Sequence, residues 1–286
     1  MKPAKTATTP ARQAILRNHT GFKEQERPVT SCELHQDAFD IPGLRNVPVD
    51  DGDQPPAAQS PAQRPARRNA TIDDGMNPEL VAGADFDGVL GIPIIKRPSE
   101  FIIPSDIIPF SKRNRDADTD LAVGFYEMDT EFADVLITPD QFIDEFRQRP
   151  LISPDCSLYR DAPLAVQIAN TYKSRAIGYY YQSHGIYVIP QIRWGNSLTY
   201  TTEALPERLA FLGVEKHSIV AIGTYGCIRT ADDKHEFRAG LDAMMEILEP
   251  EIVLVYGPMP KPIFKPYAHN TTFKQYDDWT SRVKDR

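Results

Sequence analysis

The segment SPDCSLYRDAPLAVQIANTYKSRAIGYYYQSHGIYVIPQIRWG, residues 153–195, decides the fold. Leu151 and Ile152, immediately before it, form a short apolar strand. After a polar turn, Leu164, Ile168, Tyr172, Ala176 and Tyr179 recur at the spacing of one stripe on an α-helix that starts at Pro163 and ends by Gly185. IYVIPQI, residues 186–192, is rich in β-formers. Within it Pro190 has no N–H for a ladder and requires a strand end, an edge or a bulge. Strand, long helix, strand is the pattern of a parallel crossover unit.

The same alternation extends to both sides. IVAIG (219–223) and IVLVY (252–256) are continuous apolar strands, and the helix between Thr230 and Pro250 carries Phe237, Leu241, Met244, Met245 and Leu248 on one face. ALPERLAFLG is a short helix closed by Gly213, PIFKPYAH another, and TFKQY a last strand. Upstream, AVGFYEM (122–128) is a first strand, and Thr138, Pro139 and Gln141 have the arrangement of a capping box with proline at the first helical position. Pro93, Pro98, Pro104 and Pro109 keep the earlier apolar segments out of central sheet positions. Strands without polar alternation must be covered on both faces. The expected class is α/β, a largely parallel sheet with helices on both faces; about six strands favour an open doubly wound sheet over a modified (β/α) barrel.

Residues 48–78 carry Pro48, Pro55, Pro56, Pro61, Pro65 and Pro78 among Asp, Gln, Ala and Arg, a composition that buries too little to offset the entropy of ordering. Residues 1–82 are therefore expected to be a mostly disordered N-terminal extension and linker, and residues 83–286 the α/β domain. Across the 286 residues, 41% are hydrophobic, 25% charged, and the net charge is −8. That balance suits a globular protein and opposes non-specific nucleic-acid binding, which needs clustered Lys and Arg. No apolar run approaches the ~20 residues of a membrane span, so a cytoplasmic protein without a membrane partner is expected. Cys32, Cys156 and Cys227 lack CxxC or Cys/His ligand spacing, which indicates neither a disulfide framework nor a zinc module. The sequence carries no reading of oligomeric state.

Ligands of parallel α/β proteins sit beyond the carboxyl ends of the strands. That rule gathers Asp155 and Ser157 from one strand end, Arg193 and Trp194 from a second, Thr224, Gly226 and Cys227 from a third, and Tyr256 and Gly257 from a fourth. Asp155 suits a general base or metal ligand, or else an Asx-turn cap. Ser157 would orient a substrate and Cys227 would be a nucleophile if a helix end lowered its pKa, although a buried inert thiol is the ordinary alternative. Arg160 pairs with Asp155 or Asp161 and lies within reach of a ligand; Asp161 is the better cap. Arg193 has the planar fork that grips phosphate or carboxylate, or forms a structural ion pair. Trp194 offers a stacking face or a core anchor. The 224–227 loop has the small residues of an anion-binding turn, and Gly257 the same ambiguity. Neither GxGxxG nor GxxxxGK[ST] occurs, so no cofactor is named and no metal site is indicated. Lys173 and Arg175 beside Tyr172, Tyr179, Tyr180 and Tyr181 would give a nucleic-acid contact face if exposed together.

SPDCSLYRDAPLA, GYYYQ, VIPQIRWG, GTYGCI and VYGP resemble the DUF4417 family of bacterial, phage and plasmid proteins, over roughly Ile92 to Tyr276. The family pattern often carries an aromatic residue where this chain has Cys156 and a His where it has Tyr225. The resemblance supplies no activity. The family's association with mobile elements implies a nucleic-acid-related task, as an accessory protein of a phage or plasmid, beside the reading as an enzyme that binds a phosphorylated or nucleotide-like ligand.

Overall fold

The structure, a computed structural model, describes residues 78–115 and 118–284, all within the unit Gln63–Arg286. The extension expected over residues 1–82 lies outside the described residues up to 77. Its last residues belong to the folded part: Pro78–Val81 form a 3₁₀ turn whose Leu80 is buried in the core.

The strands are β1 (Phe86–Asp87), β2 (Ile92–Pro93), β3 (Asp106–Pro109), β4 (Leu121–Gly124), β5 (Leu151–Ile152), β6 (Val188–Ile189), β7 (Ile219–Gly223), β8 (Ile252–Tyr256) and β9 (Thr272–Tyr276). The helices are α1 (Ala133–Ile137), α2 (Ile143–Phe146), α3 (Leu164–Ser183), α4 (Ser197–Tyr200), α5 (Ala231–Leu248), α6 (Lys261–Phe264) and α7 (Trp279–Lys284). β1 and β2 form a small antiparallel pair; β3-β4-β5-β6 and β7-β8-β9 are parallel runs. A parallel bridge between Gln191 and Ala221 joins the two runs. It is closed by Ala221 N–H to Pro190 O (2.9 Å) and Ile192 N–H to Ala221 O (2.8 Å). Proline thus sits where only its carbonyl is needed.

The α/β architecture expected from the apolar strands is present. Strands add in chain order without the reversal that marks a doubly wound sheet, and the sheet curls. Tyr126, just past β4, stacks on Tyr256 of β8 with ring centroids 4.3 Å apart. In a flat sheet four strand spacings of about 4.8 Å would hold them roughly 19 Å apart. The Tyr276 hydroxyl donates to Pro104 O (2.8 Å) and Arg282 pairs with Asp106 (2.7 Å), so the last strand also reaches the first. Of the two forms the sequence leaves open, these are features of the modified (β/α) barrel.

Both faces are covered, each differently. Ile107, Ala122, Ile152, Ile189, Ile219, Ala221, Leu254, Tyr256 and Tyr276 make one cluster built from strand residues. Alternate residues Ile108, Val123, Leu151 and Val188 pack outward with α3, and Val220, Ile222, Val253 and Val255 with α5.

Several local details differ from the sequence reading. Thr138 makes no capping box; its hydroxyl donates back to Asp134 O, and Pro139 opens a 3₁₀ turn. β3 joins the sheet, at the edge where prolines at 104 and 109 cost least. The strand expected over 186–192 is confined to Val188–Ile189, and ALPERLAFLG holds a 3₁₀ turn, Leu209–Phe211. Thr230, by contrast, caps α5 in a reciprocal box with Asp233.

The largest difference concerns α3. Its deeply buried residues include Gln167, Thr171, Ser174, Arg175 and Gly178, whereas Leu164, Ile168, Tyr172 and Tyr179 are half-buried on a flank. Arg175 is 2% exposed and has no carboxylate partner among its hydrogen bonds. Its guanidinium donates to Gln191 O (2.6 Å), Leu212 O (2.9 Å) and Ala210 O (3.2 Å). Burial lowers its pKa to about 10, which still leaves it charged at neutral pH. This position removes Arg175 from any basic contact face on α3.

Among the described residues no helix is long and apolar enough to cross a membrane. Arg175→Lys is expected to lose at least about 3 kcal/mol, because one ammonium cannot replace a fork that satisfies three buried carbonyls. Urea unfolding followed by tryptophan fluorescence measures it.

Candidate functional site

At the carboxyl ends of β6 and β7 a cavity of about 320 Å³ opens between the residues after β5, the residues after β6 and the first turns of α5. Gln191, Arg193 and Trp194 form one wall, Gly223 and Cys227 a second, and Glu236 and Phe237 a third. Tyr159 and Tyr225, 61% and 50% exposed, stand at the mouth.

Beneath the Arg193 wall lies a polar chain. The Tyr126 hydroxyl donates to Gln191 Oε1 (2.7 Å), Gln191 Nε2 donates to Asp155 Oδ1 (3.3 Å), and Arg193 Nη1 donates to Asp155 Oδ2 (2.6 Å). Asp155 is 5% exposed. Burial pushes its carboxyl above the ordinary value, and the Arg193 guanidinium opposes that shift. The Asp155 charge in turn holds the Arg193 pKa up. Burial, and then the Asp155 charge, raise the Tyr126 phenol well above its usual range. Beyond its bond to Asp155, Arg193 makes no other hydrogen bond to a described residue, and it lines the cavity. Its Nε and Nη2 have no hydrogen-bond partner among the described residues.

Other expected site residues have different tasks. The Ser157 hydroxyl and backbone N–H both donate to Asp129 (2.7 and 3.1 Å), tying the segment after β4 to the one after β5. Ser157 is thus committed to Asp129. Arg160 pairs with Asp232 (3.0 Å) and Asp233 (3.4 Å) of α5, in place of Asp155 or Asp161, and lines the rim. Asp161 does not cap α3, whose first turn follows Pro163 without a side-chain cap. Thr224 is fully buried; its hydroxyl donates to Pro258 O (2.7 Å), its N–H to Tyr256 O (3.0 Å), and its backbone oxygen accepts from Cys227 N–H (3.0 Å).

The 224–227 loop is therefore a closed turn, and α5 begins only at Ala231 with its N-terminus already occupied by Asp233. Tyr256 is buried in the strand cluster, its hydroxyl accepting from Trp279 N–H (2.9 Å); Gly257 packs against Thr224. Gly226 and Cys227 line the cavity. Burial raises the Cys227 thiol pKa, with Arg193 pulling the other way, and this works against the thiolate expected near a helix end. Cys156 is buried and pushed further up.

Sequence reasoning missed Tyr126, Asp129, Gln191 and Glu236. Tyr126 and Asp129 follow β4 and Gln191 follows β6, a signal the topological rule would have used had these strands been closed at Gly124 and Ile189 instead of running to 128 and 192. Glu236 becomes visible only through the docking of α5. Among the described residues no group of three or more His, Cys, Asp or Glu is placed to hold a metal ion.

The family model described as Domain of unknown function (DUF4417) matches residues 84–277, more than half of the chain. The chain belongs to the DUF4417 family. The match begins beside the small antiparallel pair and ends just past β9, so the DUF4417 region contains the whole curled sheet and every residue lining the cavity. The Gene 1 protein of Mycobacterium phage L5 is 32% identical over 165 residues, covering 56% of this chain and 69% of that protein. The Gene 1 protein of Mycobacterium phage D29 is 32% identical over 137 residues, 48% of each chain. No solved structure matches.

One wall of the DUF4417 cavity depends on a glycine. A Cβ on Gly195 would lie 2.0 Å from Gln167 Oε1 and 3.3 Å from Leu158 O. Gln167 is fully buried and that oxygen has no hydrogen-bond partner, so a methyl group there has no flexible neighbour to displace into solvent. Gly195→Ala is expected to cost about 1–3 kcal/mol from overpacking. Paired with Gln167→Ala it should cost less than the sum of the two, which a double-mutant cycle in thermal unfolding detects.

Proposed function

We propose that the cavity binds a small anionic ligand, phosphorylated or nucleotide-like, with Arg193 as its clamp and Asp155 as the group that exchanges protons beside it. The observation that carries this reading is the half-used guanidinium: one nitrogen fixed on Asp155, two further donors uncommitted in the cavity. A guanidinium anchored in this way is pre-oriented, so an anion meets it without the usual loss of side-chain freedom. Trp194 and Phe237, with ring centroids 5.1 Å apart, supply an apolar wall suited to a ring. At about 320 Å³ the cavity is at the small end of ligand pockets and suits a single phosphorylated metabolite or nucleotide. An oligonucleotide would need an extended basic groove, to which the buried Arg175 contributes nothing.

Asp155 bears on the same step through its charge. When ionised it repels an incoming anion and competes with it for the Arg193 charge; protonation removes the repulsion and weakens the hold on Arg193 to a hydrogen bond onto a neutral carboxyl. Because its pKa is raised, protonation sets in at a higher pH than for an ordinary aspartate. Affinity for sulfate, whose charge is constant near neutrality, is expected to rise as pH falls through the Asp155 transition. Asp155→Asn is expected to bind sulfate more tightly than the native protein and without that pH dependence. Calorimetric titrations of both proteins across a pH series check this, and equal slopes would remove Asp155 from the site.

Arg193→Lys is expected to weaken binding of inorganic phosphate and adenosine monophosphate about tenfold, since charge is kept and the fork is lost. A large fall in melting temperature with unchanged affinity would assign Arg193 to the scaffold.

A further inference from the structure

Glu236, on the wall formed by α5, carries a second uncommitted group. One carboxylate oxygen, Oε2, accepts from the Tyr200 hydroxyl (3.0 Å). That phenol belongs to α4, which Asn196 caps through its side chain, so the carboxylate is held by an ordered element. Glu236 Oε1 has no hydrogen bond to a described residue, and Glu236 lines the cavity. Arg160 feels the Glu236 charge but donates to Asp232 and Asp233, and among the described residues Glu236 makes no direct ion pair. The cavity thus presents spare donors at Arg193 and a spare charged acceptor at Glu236, with the Trp194 and Phe237 rings on its walls.

A simple anion gains from the first group and is repelled by the second. A ligand that carries its own hydroxyl or amino donors away from its anionic group gains from both, because a carboxylate accepting a hydrogen bond discriminates strongly against an analogue that lacks the donor. A carboxylate facing two neighbouring hydroxyls accepts from both, which is how acidic residues recognise a ribose diol in other folds. In a cavity of about 320 Å³ one small molecule touches both walls.

We propose that Glu236 is a specificity-determining residue that selects a phosphorylated pentose, free or as the sugar of a mononucleotide, by accepting hydrogen bonds from its hydroxyls while Arg193 holds the phosphate. This inference rests on the anion-binding reading of the cavity given above.

The test uses the full chain and isothermal titration with four probes: inorganic phosphate, ribose 5-phosphate, adenosine 5′-monophosphate and its 2′,3′-dideoxy analogue. The native protein is expected to bind ribose 5-phosphate and the monophosphate at least about tenfold more tightly than phosphate or the dideoxy analogue. Glu236→Gln keeps the size and the Tyr200 contact but removes the charge. It is expected to lose that preference while binding inorganic phosphate as well as or better than before. Should Glu236→Gln fail to fold, the comparison of the two adenosine probes on the native protein still decides. Equal affinity for those two, with binding that weakens in Arg193→Lys, overturns the role of Glu236 and leaves the anion site standing. Absence of binding to all four probes, or binding indifferent to Arg193→Lys, overturns both. A monophosphate that binds more tightly than ribose 5-phosphate identifies the nucleotide, through its base on the Trp194 wall, as the source of the sugar phosphate.

Discussion

The fold turns on one cation buried without a direct ion pair among the described residues. Arg175 projects from the middle of α3 to the place where β6 gives way to β7, and there satisfies the carbonyl of Gln191 together with two carbonyls of the segment 209–212. Three elements that share no ladder are thereby held at hydrogen-bond distance. Carbonyl dipoles in place of a carboxylate solve an electrostatic problem, since a buried ion pair commits a second charge to desolvation, whereas backbone oxygens at this point need donors in any case. The residues that line the cavity, from Gln191 to Gly195, follow directly from the peptide that Arg175 fixes.

What lies above that anchor is a set of polar groups, two of which are half-employed among the described residues. Arg193 spends one nitrogen on Asp155, and Glu236 spends one oxygen on Tyr200, while Gln191 and Asp155 between them are filled by Tyr126, Arg193 and each other. Structural networks saturate their members, as Arg175, Thr224 and Ser157 do here. The contrast between saturated and unsaturated groups, more than residue type, separates scaffold from site. Cys156 lies in the core and Tyr225 at the open mouth, and neither takes part in the chain of hydrogen bonds around Asp155.

The strands and helices were legible where the chain is uniformly apolar or well capped, as in Ile219–Gly223, Ile252–Tyr256 and the Thr230 cap of α5. Placement of ligands at the carboxyl ends of parallel strands then brought Asp155, Arg193, Trp194 and Cys227 to neighbouring positions without any structural knowledge. Two things were not legible. The buried face of α3 is mixed, with Gln167, Thr171, Ser174 and Arg175 turned inward beside Ala176, Ile177 and Tyr181, so of the expected apolar stripe only Ala176 lies at its centre and the rest runs along a flank. The curl of the sheet depends on contacts between residues far apart in the chain, such as Tyr126 with Tyr256, and local periodicity holds no record of them. For the same reason Arg160 was assigned to nearby carboxylates when its partners lie more than seventy positions away.

The join between the two parallel runs has a mechanical consequence. β7 and β8 are paired along their full length, Ile219 to Gly223 against Ile252 to Tyr256, but β6 meets β7 through a single bridge at Gln191 and Ala221. The cavity lies across that seam, with Arg193 on one bank and Gly223 and Cys227 on the other. Any occupant that touches both banks becomes a cross-link at the sheet's least reinforced line. Occupancy is therefore tied to the stiffness of the whole wall, and the two parallel runs are coupled through what they hold as much as through their own backbone.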